Sequence, residues 1–174
     1  MKPLIRSFFL VVVIAFCGLA VWRFWPQVPI ARNVTADKIL VEKEKRQLHL
    51  LKNGAILKSY RIALGGNPKG TKTQRGDERT PEGIYSIDWR NPKSKYHLSL
   101  HISYPNSRDR MQAKRKGVSP GGDIMIHGTP NGLGWIGSLH NLVNWTNGCV
   151  AVSDHEIEEI WRAVPNGTVI ELLP

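Results

Sequence analysis

The chain has 174 residues, of which 41% are hydrophobic, and a formal net charge of +10 at pH 7. Once a terminal segment is set aside, this length fits one domain, and the hydrophobic content excludes a chain too polar to bury a core. The two cysteines, Cys17 and Cys149, are too few for a domain stabilised by several disulfide bonds.

The first 26 residues differ in composition from the rest of the chain. Lys2 and Arg6 form a basic start, and residues 8–22 are almost continuously apolar before an aromatic cluster. An apolar run behind a basic start is typical of an export signal or a membrane anchor, and aromatic rings favour the membrane interface. We therefore predict an N-terminal apolar helix in residues 1–26 that acts as a signal anchor or transmembrane segment. Cleavage of this segment is the alternative, and residues 27–37 are predicted to be a linker.

The basic end of such a segment stays on the cytoplasmic side, so the domain of residues 38–174 is predicted to lie outside the cytoplasm. It would be anchored in the inner membrane and face the periplasm, or be exported if the segment is cleaved. Residues 33–116 carry 19 basic against 8 acidic side chains, whereas residues 117–174 carry 1 against 6. A basic protein often binds nucleic acid, but an exported domain meets anionic lipids and cell-wall polymers instead. No nucleic-acid partner is therefore predicted.

Alternating apolar and polar residues predict a domain that is mainly β. The sequence Asn53-Gly54 lies between two such runs and is a strong hairpin signal, so the first three strands are predicted to form a meander. The predicted strands are residues 39–43, 47–51, 55–64, 84–89, 96–104, 123–127 and 168–173.

Two short helices and one long loop complete the predicted domain. The first helix covers residues 107–116, with Ser107 as a possible N-cap. The second begins at Ser153, where Glu156 completes a capping box, and continues to about residue 164. Residues 65–83 are rich in glycine, proline and charge, which predicts a long loop of functional importance.

His97 and His101 lie on one face of the strand predicted for residues 96–104. Two histidines at this spacing can belong to a metal site, but no third ligand follows at a suitable distance along the chain. We therefore predict two exposed strand histidines and no metal site.

Residues 123–152 carry the groups with catalytic potential. His127 ends a short alternating strand and precedes Gly128, and Cys149 follows Gly148 in a glycine-bounded turn. Only a thiolate attacks, and a neighbouring imidazole can take the thiol proton and return it to a leaving amine. We predict that Cys149 is the nucleophile and His127 its base, with the Gly128 carbonyl orienting the imidazole. The N–H groups of Gly148 and Cys149 would form an oxyanion hole.

Alternatives to this interpretation come from other histidines and from packing. His140, in the loop before the cysteine, and His155, in the first turn of the second helix, are rival bases, although the helix dipole disfavours an imidazolium at His155. In a purely structural interpretation, Cys149 is a small buried apolar residue and His127 a strand histidine with satisfied hydrogen bonds. The glycine-framed turn and the absence of a disulfide partner in an oxidising compartment favour catalysis, because an unpaired thiol is a liability there.

Two motifs resemble the signature of the L,D-transpeptidase (YkuD-type) catalytic domain family. The first is I-H-G-T at residues 126–129 followed by T-N-G-C-V at residues 146–150, and the second is G-D-E-R-T-P-E-G-I-Y at residues 76–85, which resembles the family's TPEGxY segment. The W-T-N-G-C-V-A-V core at residues 145–152 is similar to the branch that includes single-domain envelope proteins.

The resemblance implies a mainly β, β-sandwich-like catalytic domain that needs no metal or organic cofactor. It implies that Cys149 is the nucleophile, His127 the general acid and base, Gly128 the orienting carbonyl, and Gly148 with Cys149 the oxyanion hole. The cysteine would attack the bond between the third and fourth residues of a peptidoglycan stem peptide and release D-alanine. An amine on an acceptor stem, or on a wall-linked lipoprotein, would then take the acyl group. Carbapenem-type inhibitors are expected to acylate the same cysteine.

Two positions depart from the family pattern. Asn147 stands where many members have histidine, and an amide cannot shuttle protons at neutral pH, which strengthens the prediction for His127. Ala151 stands where many members have arginine, so the carboxylates of the stem peptide must be recognised by other cations. The candidate substrate-binding residues are Arg75, Arg79 and Arg115 as cations, Trp135 and Trp145 as walls, and Thr146 and Asn147 beside the cysteine.

The predicted function is therefore that of a peptidoglycan L,D-transpeptidase. A hydrolase with the same acyl-enzyme is the alternative, either as an L,D-carboxypeptidase or as an amidase that releases wall-linked protein. An alternative of another class is a non-catalytic wall-binding module held by the basic half of the chain.

Overall fold

The computed structural model describes residues 29–174, so the predicted N-terminal apolar helix in residues 1–26 lies outside the described residues. Within residues 29–174, no helix has the length and apolar character that crossing a bilayer requires. The described part of the predicted linker, residues 29–37, is irregular until the first strand begins.

Residues 29–174 contain eight strands, two α-helices and one 3-10 segment. The strands are β1 (Lys38–Glu42), β2 (Gln47–Lys52), β3 (Ala55–Arg61), β4 (Gly83–Ser94), β5 (His97–Ile102), β6 (Met125–His127), β7 (Val150–Ala151) and β8 (Val169–Leu173). The helices are α1 (Ser107–Arg115) and α2 (Asp154–Ala163), and the 3-10 segment is Gly134–Leu142. The prediction of a mainly β domain with two short α-helices is confirmed, whereas the 3-10 segment lies in a stretch predicted to be loop.

The strands form one hydrogen-bonded ladder in the order β3-β2-β1-β8-β4-β5-β6-β7. The β1–β8 and β6–β7 pairs are parallel, and the other neighbours are antiparallel. Strand β4 pairs with β8 through residues 83–86 and with β5 through residues 87–94, with register shifts in the second part. The two halves of the predicted sandwich-like sheet are therefore joined by one long strand.

Strands from both halves of this sheet contribute to a single core. On β1, Ile39 and Val41 are fully buried and alternate with partly exposed residues, as the period of two predicts. Helix α2 adds Ile157 and Ile160, and Val164 follows the end of the helix; all three are fully buried, which confirms most of the predicted apolar stripe.

The helix starts are close to their predicted positions. The carboxylate of Glu156 accepts hydrogen bonds from the N–H and the hydroxyl of Ser153, so the predicted capping box is present. The N-cap of α1 is Asn106 rather than Ser107, because the Asn106 side chain accepts from two N–H groups of the first turn.

Strand β4 continues five residues beyond the predicted end at residue 89, and it passes through Pro92. The register shift between Asn91 and Ser94 allows this, because a bulge tolerates a residue that lacks an N–H donor.

Helix α2 carries a buried carboxylate, that of Glu159. Glu159 is 2% exposed, although its place between Glu158 and Ile160 gives no sign of this in the sequence. Lys58 Nζ lies 2.6 Å from Glu159 Oε2, the Tyr60 hydroxyl donates to the same oxygen at 2.8 Å, and the Ile30 N–H donates to the other oxygen. Burial by itself would raise the pKa of Glu159, but these hydrogen bonds hold it below its usual value.

We expect Glu159→Gln to lower the free energy of unfolding by about 3 kcal/mol at neutral pH, because it leaves the Lys58 ammonium without its buried partner. A carboxyl pKa that is lower in the folded state stabilises the fold above the unfolded value of about 4.3. That stabilisation is lost as the pH falls through the folded pKa, so the variant should lose less stability than the wild type between neutral and acidic pH. Urea unfolding at several pH values measures this. Parallel pH dependences in the two proteins would contradict the role of the buried carboxylate.

Candidate active site

The site lies where β6 and β7 run side by side near one edge of the sheet. Ile126 is opposite Val150 and His127 is opposite Ala151 in this parallel pair. Because side chains alternate along a strand, Ile124 and Ile126 enter the core, whereas Met125 and His127 face the other way. Cys149 directly precedes β7, and the short pairing therefore brings residues that are 22 positions apart in sequence to one place.

A cleft of about 560 Å³ opens at this place and contains both predicted catalytic side chains. Its walls come from the end of β4 and the following turn, from the segment before β6, and from the turn before β7. The lining residues are Asn91, Lys93, Ser94, Lys95, Tyr96, Ser99, Gly122, Asp123, Met125, His127, Trp145, Thr146, Asn147 and Cys149.

The imidazole of His127 is held in one orientation. Its Nδ1 lies 2.7 Å from the carbonyl oxygen of Gly128, which can only accept a hydrogen bond, so Nδ1 carries the proton and Nε2 is left as the base. The ring packs against Tyr96 and Trp145, with centroid distances of 4.5 Å and 5.6 Å. Burial lowers the pKa of His127, and the hydrogen bond to Gly128 only partly opposes this effect. The imidazole is therefore neutral at neutral pH, as a base must be.

The thiol of Cys149 lies at the wall of the cleft. Its Sγ accepts a hydrogen bond from the Met125 N–H at 3.4 Å and lies 3.6 Å from the carbonyl oxygen of Asp123. Burial raises the pKa of Cys149, while the Met125 N–H and the positive charge of Lys72 act in the opposite direction. The thiol is therefore protonated at rest, and it needs a base to become a nucleophile.

The two side chains line the same cleft, but their hydrogen bonds go to backbone groups and not to each other. Catalytic hydrogen bonds are often long before substrate binds and shorten in the complex. The predicted nucleophile and the predicted base therefore share one cleft without a hydrogen bond between them.

The turn before the cysteine needs a glycine. Gly148 has φ of +116°, and a β-carbon at this position would lie 2.5 Å from the carbonyl oxygen of Arg79. The Gly148 N–H donates to Thr146 Oγ1 at 3.2 Å, and that hydroxyl donates to the carbonyl of Cys149 at 2.8 Å. Gly148 therefore has an internal partner for its N–H, and the Cys149 N–H is the better oxyanion donor of the predicted pair.

A second cleft of about 620 Å³ adjoins the first, and Gly122, Asp123 and Asn147 line both. Its other walls come from the long loop predicted for residues 65–83 and from the segment after α1. The remaining lining residues are Lys72, Arg75, Gly76, Glu78, Ser119 and Gly121.

The long loop is ordered although it has no regular secondary structure beyond isolated bridges. Lys43 is 4% exposed and donates to the carbonyls of Gly70 and Thr80 and to the carboxylate of Glu82. Asp77 accepts N–H groups of the loop and pairs with Lys72 at 2.8 Å. These contacts fix the shape of the loop and tie it to Lys43, and the Gly66 N–H joins the loop to the turn before Cys149 by donating to the Thr146 carbonyl at 2.9 Å.

The candidate substrate-binding residues are only partly brought together. Trp145, Thr146 and Asn147 line the first cleft, and Arg75 with Asn147 lines the second. Arg79, Arg115 and Trp135 line neither cleft, and Trp135 is 80% exposed on the 3-10 segment.

Neither His140 nor His155, the two rival bases, lines the cleft that contains His127 and Cys149. Burial, with a smaller effect of His127, lowers the pKa of His140 to about 4, so this ring is neutral and lies behind the wall of the site. His155 is exposed on α2 beside residues 29–32.

Several residues of the site were not predicted from the sequence, and three of them contact the predicted catalytic groups or the backbone beside them. Tyr96 packs on the His127 imidazole, Met125 donates its N–H to Sγ, and Asp154 accepts hydrogen bonds from Thr129. Met125 could have been found, because it lies two positions before His127 on the same side of the strand. Tyr96 and Asp154 reach the site only through strand pairing and helix packing.

A β-rich domain that places a cysteine and an oriented neutral histidine in one cleft has the parts that a cysteine-dependent catalytic domain requires. Residues 36–172 match the family model described as "YkuD: L,D-transpeptidase catalytic domain", and the chain belongs to this family.

One relative in sequence and two solved structures are similar to the chain. It is 32% identical over 138 residues to YafK of Escherichia coli (strain K12), an L,D-transpeptidase by name, with 75% of this chain and 48% of YafK covered. The helical cell shape determining protein Pgp2 from Campylobacter jejuni has a TM-score of 0.60 at 24% identity, with 80% and 48% covered. LD transpeptidase LdtMt1 in complex with imipenem has a TM-score of 0.50 at 15% identity, with 78% and 58% covered. The chain thus spans about half the length of its curated relative.

Proposed function

We propose that the protein is a peptidoglycan L,D-transpeptidase with Cys149 as nucleophile and His127 as general acid and base. One observation carries the proposal: His127 Nδ1 is hydrogen-bonded to the Gly128 carbonyl, in a cleft that it shares with Cys149. This bond leaves Nε2 to accept the thiol proton. Membership of the L,D-transpeptidase family supports peptidoglycan as the class of substrate.

The proposed reaction begins when His127 Nε2 takes the proton from Cys149 and Sγ attacks the carbonyl carbon of the third stem residue. The Cys149 N–H stabilises the oxyanion of the tetrahedral intermediate. His127 then returns the proton to the departing amine, D-alanine leaves, and a thioester remains. An acceptor amine attacks the thioester, gives its proton to His127, and the thiol is restored as the new amide forms.

The donor stem is proposed to lie in the cleft of about 560 Å³, because that cleft contains both reacting side chains. The adjoining cleft of about 620 Å³ supplies cations beside the cysteine turn, where the family arginine is replaced by Ala151. Arg75 is exposed and lines this cleft, so its guanidinium is placed to bind a stem carboxylate.

We expect Arg75→Gln to raise KM for the stem peptide about tenfold with a smaller change in kcat, because one charge-assisted hydrogen bond to a carboxylate is lost. Arg115→Gln is the matched control, since Arg115 is exposed and lines neither cleft. Initial rates at several stem-peptide concentrations measure both parameters. Equal KM values for the two variants would show that Arg75 does not bind the stem carboxylate.

The experiment that tests the proposed function incubates the full chain with disaccharide-tetrapeptide and follows the products by mass spectrometry. Cross-linked dimers that lack one D-alanine are expected. Tripeptide alone would replace the proposal with a hydrolase that uses the same acyl-enzyme. Unchanged substrate together with salt-sensitive binding to purified cell wall would contradict the proposal and would show that the domain is a non-catalytic wall-binding module.

We also propose a cellular location, a second acceptor and a class of inhibitor for this reaction. The apolar residues 1–26 would anchor the protein in the inner membrane with the domain in the periplasm, or direct its export if they are cleaved. A wall-linked lipoprotein is a second possible amine acceptor. Carbapenems are proposed to acylate Cys149, and the imipenem complex of the structural relative LdtMt1 supports this.

A further inference from the structure

The peptide bond between Gly128 and Thr129 is hydrogen-bonded at both ends. Its carbonyl oxygen accepts from His127 Nδ1 at 2.7 Å, and its N–H donates to Asp154 Oδ1 at 2.8 Å. In a trans peptide the C=O and N–H groups point in opposite directions. The carboxylate of Asp154, the peptide group and the catalytic imidazole therefore form one continuous line of hydrogen bonds.

The carboxylate end of this line is firmly placed. The Thr129 hydroxyl donates to the same Oδ1 of Asp154 at 2.8 Å, and Thr129 is fully buried. Asp154 is the first residue of α2, and the fully buried Ile157 and Ile160 hold that helix against the core. The carboxylate is therefore fixed by packing on one side and by two donors of Thr129 on the other.

Gly128 makes this approach possible. A β-carbon at position 128 would lie 2.7 Å from Asp154 Oδ1 and 3.1 Å from a methyl carbon of Ile157, so any larger residue would displace the helix start. The Gly128 N–H donates to the carbonyl of Tyr96 at 3.1 Å, which fixes the preceding peptide as well. The backbone between the imidazole and the carboxylate thus has little freedom to rotate.

We propose that Asp154 is a positioning residue of the active site: it holds and polarises the Gly128–Thr129 peptide, and through that peptide it orients the His127 imidazole. The proposal rests on the proposed function for its catalytic meaning. A negative charge at the N–H end of a peptide increases the electron density at its carbonyl oxygen, because hydrogen bonds in a chain polarise one another. The oxygen then binds the Nδ1 proton more strongly, and Nε2 stays directed to the cleft as the stronger base.

Other titratable groups also surround His127. Tyr96 packs on the ring, and His140 of the 3-10 segment lies near it. The remaining titratable groups that line its cleft are Lys93, Lys95, Asp123 and Cys149. His140 is close enough to both His127 and Asp154 to respond to their charges, and it is itself neutral at neutral pH. What distinguishes Asp154 is that hydrogen bonds link its carboxylate to the imidazole through the Gly128–Thr129 peptide.

The test compares two substitutions at position 154 in the full chain. Asp154→Asn keeps an oxygen acceptor but removes the charge, and Asp154→Ala removes both. Glu156→Gln is the matched control, because it removes a carboxylate from the same helical turn without touching the Gly128–Thr129 peptide. Nitrogen-15 NMR of the histidine rings gives the pKa and the tautomer of His127, and the pH dependence of acylation by imipenem gives the kinetic effect.

Loss of the negative charge destabilises the imidazolium, so the pKa of His127 should fall by about one pH unit in Asp154→Asn. Because the reaction needs the neutral imidazole, the acidic limb of the rate profile should move to lower pH, and the plateau should fall about tenfold as the base weakens. Asp154→Ala should in addition give a mixture of the two ring tautomers. The Glu156→Gln variant should match the wild type in all three measurements.

An unchanged pKa and a single unchanged tautomer in both Asp154 variants would overturn the proposal, whatever the loss of stability, because a helix-capping role would leave the ring unaffected. The NMR measurements need no substrate. If the proposed function failed and the protein transferred no acyl group, the shift at His127 would still be expected. If the wild type transferred acyl groups but the pKa and the tautomer of His127 were the same in the Asp154 variants, the positioning role alone would be rejected.

Discussion

Cys149→Ser is expected to reduce the formation of cross-linked product by about a thousandfold or more, with little change in the binding of cell wall. Serine has nearly the same size, so the turn held by Thr146 and Gly148 should persist. A hydroxyl is far less acidic than a thiol, and the neutral His127 imidazole cannot generate enough alkoxide to replace the thiolate. The rate of dimer formation from disaccharide-tetrapeptide, followed by mass spectrometry, measures the effect.

Cys17→Ser is the control for this substitution, because it removes the other thiol of the chain. It should retain the wild-type rate. Retained turnover in the Cys149→Ser variant would exclude an acyl-enzyme on this residue, and retained wall binding in a wild type without turnover would favour the non-catalytic module.

The second large effect is expected for His127→Gln. Glutamine can still donate to the Gly128 carbonyl, but it cannot accept and return a proton, so the rate should fall by about a hundredfold to ten-thousandfold. The remaining activity should rise with pH as hydroxide replaces the missing base, up to the pH at which the thiol itself ionises. Burial raises the pKa of Cys149, so this rise should continue above the usual thiol range. Rate profiles between weakly acidic and alkaline pH test the prediction.

His155→Gln serves as the comparison, since His155 is exposed and lies beside residues 29–32 rather than in the cleft. Its rate should stay within about a factor of two of the wild type, as is usual for surface substitutions. If His155→Gln lost as much activity as His127→Gln, the assignment of the base would be wrong.

Local patterns were sufficient to predict most of the regular structure. The alternation of residues 123–127 predicts that Ile126 and His127 point to opposite sides of β6, and the Ser153 and Glu156 pair marked the start of α2 correctly. These features depend on residues that are near each other in sequence, where the period of two and the chemistry of helix caps apply directly. The N-cap of α1 was misplaced by one residue because Asn106 and Ser107 are both good caps.

Tertiary contacts explain what the sequence did not predict about the site. Arg75 and Arg79 are equally basic and four residues apart, yet only Arg75 lines a cleft, because the contacts of Asp77 determine how the loop folds between them. Trp135 is exposed because the 3-10 segment turns it away from the site. Asp154 is close to Gly128 only because α2 packs beneath the strand that ends in His127. None of these relations has a signal in local sequence.

The most direct test of the account is to weigh the intact full-length protein after brief incubation with tetrapeptide donor, and to map the site of any added mass. We predict an adduct equal to the donor less one D-alanine, joined as a thioester to the peptide that contains Cys149. A protein of unchanged mass under conditions of turnover, or an adduct on another residue, would contradict it.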